Sequence, residues 1–344
     1  MRVSIIGATG YVGAELLRIL AAHPQAEIVH ITSESHAGEF PAVVYPHLRR
    51  RCPLVLEPMA AAADIAADSE VLFVALPHGH AMKLGKAVAH LPVRIIDLGA
   101  DYRFDDPAVY TQWYGLPHEH GNAARAYGLA EWQREAIRNA RIIGNAGCYP
   151  TAAILALAPL VQAGLVQTGS IIIDAASGVS GAGRAATAAN HFPEIYDSFK
   201  AYGVAGHRHT PEIEQALTGL SGETQVVSFT PHLLPMVRGI LATCYATLRP
   251  GVSADAVDAA FTGCYGAEPF IRLLGRNGYP TTKAVRGANF CDIGWHLDPR
   301  SGRVIVLSAI DNLVKGAAGQ AVQNFNIACG FAEDTGLGHI PLYP

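Results

Sequence analysis

The sequence predicts an α/β chain in two parts: a doubly wound parallel sheet first, then an α+β part carrying a mixed sheet. Three observations predict it. At 344 residues the chain is too long for one ordinary domain, so two are expected. Up to Cys148, short apolar runs alternate with helical stretches, as they do in a parallel sheet with crossover helices. Beyond Cys148 the strands are separated by long loops and that alternation is lost. The expected division gives residues 1–147 and 313–344 to the first domain and 148–312 to the second.

The first strand, residues 3–6, runs straight into Gly7-Ala8-Thr9-Gly10-Tyr11-Val12-Gly13, and a helical stretch follows over 14–20. Strand, glycine-rich turn and helix in that order make a phosphate cradle of the Rossmann type, tight backbone plus helix N-terminus, suited to a dinucleotide pyrophosphate. Its lining would be Gly7, Thr9, Gly10, Tyr11, Val12 and Gly13. The spacing is Gly-x-x-Gly-x-x-Gly, so the signal rests on the strand-turn-helix context rather than on the glycines alone. The next strand, 27–31, ends in Thr32-Ser33-Glu34-Ser35. Hydroxyls of Ser33 and Ser35 suit a ribose 2′-phosphate, whereas an acid such as Glu34 suits a 2′-hydroxyl, so NADP against NAD stays open here. A helix is expected over 60–67. Strand 71–76 then ends at Pro77-His78, and strand 93–98 ends before Arg103, which puts His78 and Arg103 near the crevice at the carboxyl ends of the sheet.

A further strand over 140–143 leads into Gly144-Asn145-Ala146-Gly147-Cys148-Tyr149-Pro150-Thr151, with helical composition over 151–160. Pro150 is tolerated in a first helical turn, where its missing N–H costs nothing. Cys148 is therefore expected at a helix N-terminus, where unpaired N–H groups and the helix dipole favour a thiolate, the form that attacks a carbonyl. In the second part, strands are expected over 170–174, 225–229, 240–248 and 303–307. A last helix, about 312–331, is expected to pack back on the first domain.

Three features of this second part offer chemistry. In Gly206-His207-Arg208-His209-Thr210-Pro211-Glu212, Thr210 reads as an N-cap with Pro211 as the first helical residue, and either histidine can serve as acid/base partner to Cys148. The loop Ala176-Ser177-Gly178-Val179-Ser180-Gly181-Ala182-Gly183-Arg184 can follow a ligand closely. Arg238 offers a guanidinium for a phosphate or carboxylate. His-x-His pairs at 78/80, 118/120 and 207/209 lack the thiolate or carboxylate spacing of a metal site, and no metal is expected.

Composition excludes other classes. Only 16% of residues are charged while 50% are hydrophobic, which suggests a large buried fraction and a subunit interface. A net charge of −4 leaves no basic footprint for nucleic acid. Six scattered cysteines without a Cys-x-x-Cys pair fit neither a disulfide framework nor a zinc knuckle, and suit a reducing compartment. The first apolar run ends at Gly7, too soon for a signal peptide, and no apolar stretch approaches the roughly eighteen residues of a membrane span. A cytoplasmic protein is expected.

The motifs together resemble a known family. Gly-Ala-Thr-Gly-Tyr-Val-Gly, Ala-Leu-Pro-His-Gly, Asp-Leu-x-Ala-Asp-Tyr-Arg-Phe, Gly-Asn-Ala-Gly-Cys-Tyr-Pro-Thr, Ser-Gly-Val-Ser-Gly-Ala-Gly-Arg, His-Arg-His-Thr-Pro-Glu-Ile and Asp-Asn-Leu-Val-Lys-Gly-Ala-Ala-Gly-Gln-Ala are similar to those of the N-acetyl-gamma-glutamyl-phosphate reductases, within the aspartate-semialdehyde dehydrogenase superfamily. They run in order from residue 5 to about residue 331. The resemblance implies NADP(H) as cofactor, although the position of Glu34 often carries a basic residue in that family. Ser177, Gly178 and Asn312 would join Ser33, Ser35, Pro77, His78 and the glycine loop in holding it. Cys148 is implied as nucleophile, and the loop of His207 and His209 as the acid/base region, without a choice between them. Arg103, Asn145, Ser180, Gly181, Arg184, Glu212 and Arg238 are expected at the substrate. The implied reaction is attack of Cys148 on an acyl phosphate, loss of phosphate, and hydride reduction of the thioester to an aldehyde, in arginine biosynthesis. A small acyl phosphate and further copies of the chain, as dimer or tetramer, are the partners expected; nucleic acid and membrane are not.

Three rivals share parts of this pattern. A carrier-protein-linked aminoadipyl phosphate reductase would need a basic docking surface, and the only concentrated one is Arg49-Arg50-Arg51. A non-catalytic NADP-sensing regulator has no use for Cys148 with paired histidines. A cysteine hydrolase would leave the glycine cradle idle.

Overall fold

The structure, a computed structural model, describes residues 1–343. The chain forms two units, Met1–Gly147 with Ala317–Gly338, and Cys148–Gly316 with the tail that begins at His339. The sequence assigns residues 313–316 and that tail to the first domain; they fold with the second unit instead. Backbone bonds hold them there, Gly316 N–H to the Asp311 carbonyl (3.0 Å) and Leu342 N–H to the Arg286 carbonyl (3.0 Å).

Six parallel strands build the sheet of the first unit: β1 (Arg2–Ile6), β2 (Glu27–Ile31), β3 (Val71–Val74), β4 (Arg94–Asp97), β5 (Ala126–Gly128) and β6 (Ile142–Asn145). Their order is β2-β1-β3-β4-β6-β5. The helices are α1 (Tyr11–Leu20), α2 (Pro41–Val44), α3 (Ala62–Ala67), α4 (His80–Ala87), α5 (Pro107–Tyr114) and α6 (Ala130–Asn139). A sheet covered on both faces selects continuous apolar strands, and central β3 (Val-Leu-Phe-Val) is buried at every position. Amphipathic α1 buries Leu16, Leu17, Ile19 and Leu20. Strand order reverses between β1 and β3, and in such sheets the crevice for a ligand opens beyond the carboxyl ends at that point. The sequence reading missed β5, whose Ala-Tyr-Gly is too short and too weakly apolar to stand out.

The second unit is laid around α7 (Cys148–Gln162). Thirteen of its fifteen residues are buried, from Tyr149 to Val161, as befits a helix apolar on all sides. Pro159 inside it removes the N–H that would bond the Leu155 carbonyl. Tyr265 supplies the replacement, its hydroxyl donating to that carbonyl at 2.9 Å. The sheet has seven strands: β7 (Ile172–Gly178), β8 (Lys200–Ala201), β9 (Ser228–Leu234), β10 (Ile240–Thr247), β11 (Ile271–Arg276), β12 (Cys291–Asp298) and β13 (Arg303–Ile310). Their order is β11-β12-β13-β10-β7-β9-β8, mixed in direction, with β7–β9 and β11–β12 parallel and the other neighbours antiparallel. Helices α8 (Phe192–Ile195), α9 (Thr210–Ser221) and α10 (Ala254–Tyr265) complete this unit. Along β10 the residues alternate, Ile240, Ala242, Cys244 and Ala246 inward, Leu241, Thr243, Tyr245 and Thr247 half-exposed on the other face.

The strands expected at 170–174, 225–229 and 303–307 end three to five residues further along the chain, at Gly178, Leu234 and Ile310. β8, β11 and β12 were not anticipated. In β12 the acid Asp292 interrupts the apolar pattern, yet it is buried because Arg272 lies opposite it on β11 and forks onto its carboxylate at 2.6 and 2.8 Å. The last helix, expected over about 312–331, is a π-helical turn (Val314–Ala318) followed by α11 (Gly319–Cys329). As expected, α11 packs in the first unit, against α1, α6, β4, β5 and β6. Its buried polar side chains bond that unit's strand ends: Asn324 Nδ2 donates to the Gly128 backbone carbonyl and to the Asn145 side-chain Oδ1, both at 2.9 Å.

Candidate active site

The glycine loop of the first unit is shaped by what surrounds it. Gly7 has φ +93°, and a Cβ there would lie 2.5 Å from the Ala75 carbonyl oxygen; a Cβ on Gly13 would lie 2.5 Å from that of Gly7. These two glycines let the loop lie flat on the strand ends. Gly10 differs, because a Cβ there meets nothing closer than 4.0 Å and would project into open space over the start of α1. Gly10 is the N-cap of α1, and no side chain caps it. Uncapped N–H groups beside open space fit a pyrophosphate.

Neighbouring side chains hold the loop. Thr32, at the end of β2, accepts the Gly7 N–H (3.0 Å) through its hydroxyl and the Ala8 N–H (2.8 Å) through its carbonyl. Thr9 and Ser33 share a hydroxyl hydrogen bond of 2.8 Å, and the Tyr45 hydroxyl donates to the Thr9 carbonyl at 3.0 Å. Ser33 is buried and also accepts the His36 N–H, while Ser35 is exposed. Pro77 is exposed and His78 half-buried, its ring edge-on to Tyr114 at 4.8 Å. Their loop hangs from Asp101, which accepts Gly79 N–H (2.8 Å), Met82 N–H (3.0 Å) and the Tyr110 hydroxyl (2.8 Å). Burial, then the neighbouring Asp101 carboxylate, push the Asp97 carboxyl up to about 7. Arg103 is buried, its guanidinium donating to the carbonyls of Asn145 (2.8 Å) and Leu98 (3.3 Å). Asn145 is buried too and bonds the Ala317 carbonyl (3.2 Å) as well as Asn324. In this unit Arg103 and Asn145 therefore brace backbone at the end of β6.

Cys148 is the first residue of α7 and is half-buried. Pro150 is the third, inside the first turn, where no backbone donor is lost. The adjacent Tyr149 gathers the histidine loop: its ring is edge-on to His207 at 5.7 Å and 6.0 Å from His209. Tyr149 donates to the His232 carbonyl (3.1 Å) and receives the Tyr202 hydroxyl (3.1 Å). Burial and then Tyr202 raise the Tyr149 phenol far above its ordinary range, and burial takes Tyr202 up to about 12, so both stay protonated. His207 is enclosed by Tyr149, Tyr202 and Phe229, and its Nδ1 accepts the His209 N–H at 3.1 Å. Burial first, then Arg208, bring its imidazole down to about 4. Helix α9 starts at Thr210 with His209 as its cap, one residue earlier than the sequence suggests, because Thr210 N–H already bonds the His207 carbonyl (3.0 Å). Glu212 is fully buried in the first turn of α9.

A second cluster joins several expected ligand residues. Asn312 accepts the Gly239 N–H (2.7 Å) and donates to Ser180 Oγ (2.9 Å). Backbone bonds from Val179 to Met236 (2.9 Å) and from Ser180 to Val237 (3.1 Å) zip the two loops, and a Cβ on Gly178 would lie 2.8 Å from Arg238 N. Ser177 Oγ donates to the Gly178 carbonyl at 3.0 Å. Arg238 forms an ion pair with buried Asp311, Nε to Oδ2 at 3.1 Å. Gly181 lies against this cluster, since a Cβ on it would come 3.1 Å from Ser177 Oγ and 3.9 Å from Asn312 Nδ2, whereas Arg184 sits further along the exposed loop. Among the described residues, no group of three or more His, Cys, Asp or Glu is placed to hold a metal ion, and no helix is long and apolar enough to cross a membrane.

Sequence reasoning missed the residues that act through others: Thr32 and Asp101 in the first unit, Tyr149, Tyr202 and Asp311 in the second. The two acids had a signal, Asp101 in the turn after β4 and Asp311 directly after the apolar β13.

Comparison with known proteins agrees with this construction. Residues 2–140 match the family model for the semialdehyde dehydrogenase NAD binding domain, and residues 148–312 match the semialdehyde dehydrogenase dimerisation domain. A curated protein of Pelotomaculum thermopropionicum named N-acetyl-gamma-glutamyl-phosphate reductase is 54% identical over 346 residues, covering 100% of this chain and 99% of its own. One of the same name from Symbiobacterium thermophilum is 53% identical over 348 residues, with the same coverage. Among solved structures, aspartate semialdehyde dehydrogenase II of Vibrio cholerae, complexed with ASA, shares the fold at TM-score 0.73 and 18% identity, over 96% of this chain and 98% of its own. The Candida albicans aspartate semialdehyde dehydrogenase with NADP does so at TM-score 0.69 and 16% identity, over 97% and 99%. The chain belongs to the semialdehyde dehydrogenase family, among its N-acetyl-gamma-glutamyl-phosphate reductases.

Proposed function

We propose that the chain reduces N-acetyl-glutamyl 5-phosphate to N-acetyl-glutamate 5-semialdehyde with release of phosphate, a step of arginine biosynthesis, through a thioacyl intermediate on Cys148. The observation that carries the reading is a half-buried thiol at the head of a fifteen-residue helix, with two histidines packed on the residue beside it. An acyl phosphate has a good leaving group, so the Cys148 thiolate displaces phosphate and becomes acylated. N–H groups at the start of α7 stabilise the oxyanion that forms on attack and again on reduction. A bound NADPH supplies the hydride that takes the thioester to the aldehyde level. His209 is the proton carrier for the thiohemiacetal oxygen, because His207 is tied up through Nδ1 and kept neutral by its enclosure. Release of the aldehyde regenerates the thiol.

The dinucleotide would be held by Gly7, Thr9, Gly10, Tyr11, Val12 and Gly13, with Pro77 and His78 on the adjoining loop and Ser177, Gly178 and Asn312 shaping the loops of the second unit. NADP(H) rather than NAD(H) is part of this proposal, supported by the resemblance of the motifs and by the exposed Ser35 hydroxyl just past β2. A cytoplasmic location is proposed with it, as substrate and cofactor are both soluble metabolites. Contact between copies of the chain is assigned to the second unit, which matches a dimerisation domain.

The test runs the reaction backwards, following nicotinamide absorbance with N-acetylglutamate semialdehyde, phosphate and NADP. Phosphate-dependent turnover in the wild type that vanishes in Cys148→Ala, with dinucleotide binding retained, is the expected result. Wild-type protein that reduces NADP only with a carrier-linked aminoadipate semialdehyde, or with neither aldehyde, would overturn the reading.

A further inference from the structure

The π-helical turn Val314–Ala318 has no part in the chemistry described so far, yet it backs the reactive thiol. A Cβ on Gly316, within this turn, would lie 2.8 Å from the Cβ of Cys148 and 3.2 Å from its Cα. No real side chain tolerates such a contact, so the bare backbone of Gly316 fixes how far Cys148 can retreat from the head of α7. Single π-turns are rare, and they occur frequently at functional sites.

Asp311 holds the turn in place. Its carboxylate is fully buried and accepts four donors. Oδ1 takes the N–H groups of Leu313 (2.9 Å) and Val314 (3.3 Å), and Oδ2 takes that of Gly287 (2.7 Å). Arg238 Nε completes the set at 3.1 Å. The Asp311 carbonyl then accepts the Gly316 N–H at 3.0 Å, closing the turn on the residue that meets Cys148. On the other side, Lys315 is buried with Nζ 5.6 Å from the Phe270 ring centroid, so the turn is anchored both before and beside Gly316.

We propose that Asp311 and Gly316 are positioning residues for the Cys148 nucleophile: the carboxylate fixes the π-turn, and the turn lays side-chain-free backbone against the thiol's own carbon. Neither residue touches substrate in this account. Arg238, expected at the substrate, acts here through Asp311. The proposal rests on Cys148 as the reacting group, and the alkylation arm of its test needs no particular substrate.

The experiment measures the rate at which iodoacetamide alkylates Cys148 across pH, read by peptide mass spectrometry so that the other cysteines are counted separately. Wild type, Gly316→Ala and Asp311→Asn are compared, with thermal melting as the control for folding. A nucleophile misplaced by about an ångström loses on the order of 100-fold in rate. Gly316→Ala is therefore expected to drop kcat by about that factor and to shift the pH profile of alkylation, with KM for the dinucleotide unchanged. Asp311→Asn keeps the two Oδ1 bonds and loses an acceptor at the other oxygen, so a smaller change in the same direction is expected. Folded Gly316→Ala with the wild-type alkylation profile and kcat would overturn the proposal. Should Gly316→Ala fail to fold, Asp311→Asn is decided by the same readings. A wild type that lacks phosphate-dependent turnover would sink the functional reading alone, since the alkylation profile stands without it.

Discussion

His207 and His209 lie two positions apart with their rings 4.9 Å from each other, both against Tyr149, yet they are held differently. His207 is walled by three aromatic rings and gives its Nδ1 lone pair to a backbone N–H, whereas His209 caps α9 at the edge of that cluster. Because the folded imidazole sits near 4 and an unfolded one near 6.5, the native state resists a proton that the unfolded chain takes up. The stability that His207 contributes is complete above about pH 6.5 and is lost as pH falls from there through 4. Between pH 7 and pH 5 the loss is about 2 kcal/mol by linkage. Urea unfolding of wild type and His207→Gln at both pH values checks this: the mutant should lose less stability on acidification by about that amount. Equal losses would place His207 in water-like surroundings, contrary to its packing. Sequence alone left the two histidines equivalent, because what separates them is a ring of aromatics drawn from residues 149, 202 and 229.

At the scale of elements, what was legible follows from local physics, and what was not depends on partners distant in the chain. The glycine loop, the head of α7 and the core strands of the parallel sheet each announce themselves within a short window, through turn glycines, an early proline or an apolar run. β12 did not, since its buried Asp292 is acceptable only with Arg272 opposite. Nor did the polar face of α11, whose buried Asn324 serves carbonyl groups far away in sequence. The loop after β3 is a third case, because it is held from the far side by Asp101. Replacing Asp101 by Asn leaves at most one oxygen for the three donors that it now serves. Losing one such bond is worth about 1–1.5 kcal/mol, or roughly tenfold. Dinucleotide affinity, measured by calorimetry, should fall by about that factor in Asp101→Asn, while the alkylation rate of Cys148 stays at the wild-type value. Unchanged affinity would remove the loop after β3 from the cofactor site.

For the molecule as a whole, the low charge and the outer face of the seven-stranded sheet point the same way. α7 covers one face, and the other presents a row that is in register across three strands: Ile172 on β7, Tyr245 on β10 and Ile305 on β13, with Leu307 beside them. All four are only half-buried in the single chain. An antiparallel sheet facing water usually alternates apolar inward with polar outward, so an apolar row on the outward side marks a surface suited to contact with another body. A second copy is the occupant that needs no other partner, and two such faces related by a twofold axis match by construction. Paired charges placed in the row, Tyr245→Arg with Ile305→Arg, should therefore convert the oligomer to monomer in sedimentation velocity while each chain still binds the dinucleotide. Arginines that left the sedimentation coefficient of the wild type unchanged would show that copies meet elsewhere, and the half-exposed row would then need a different explanation.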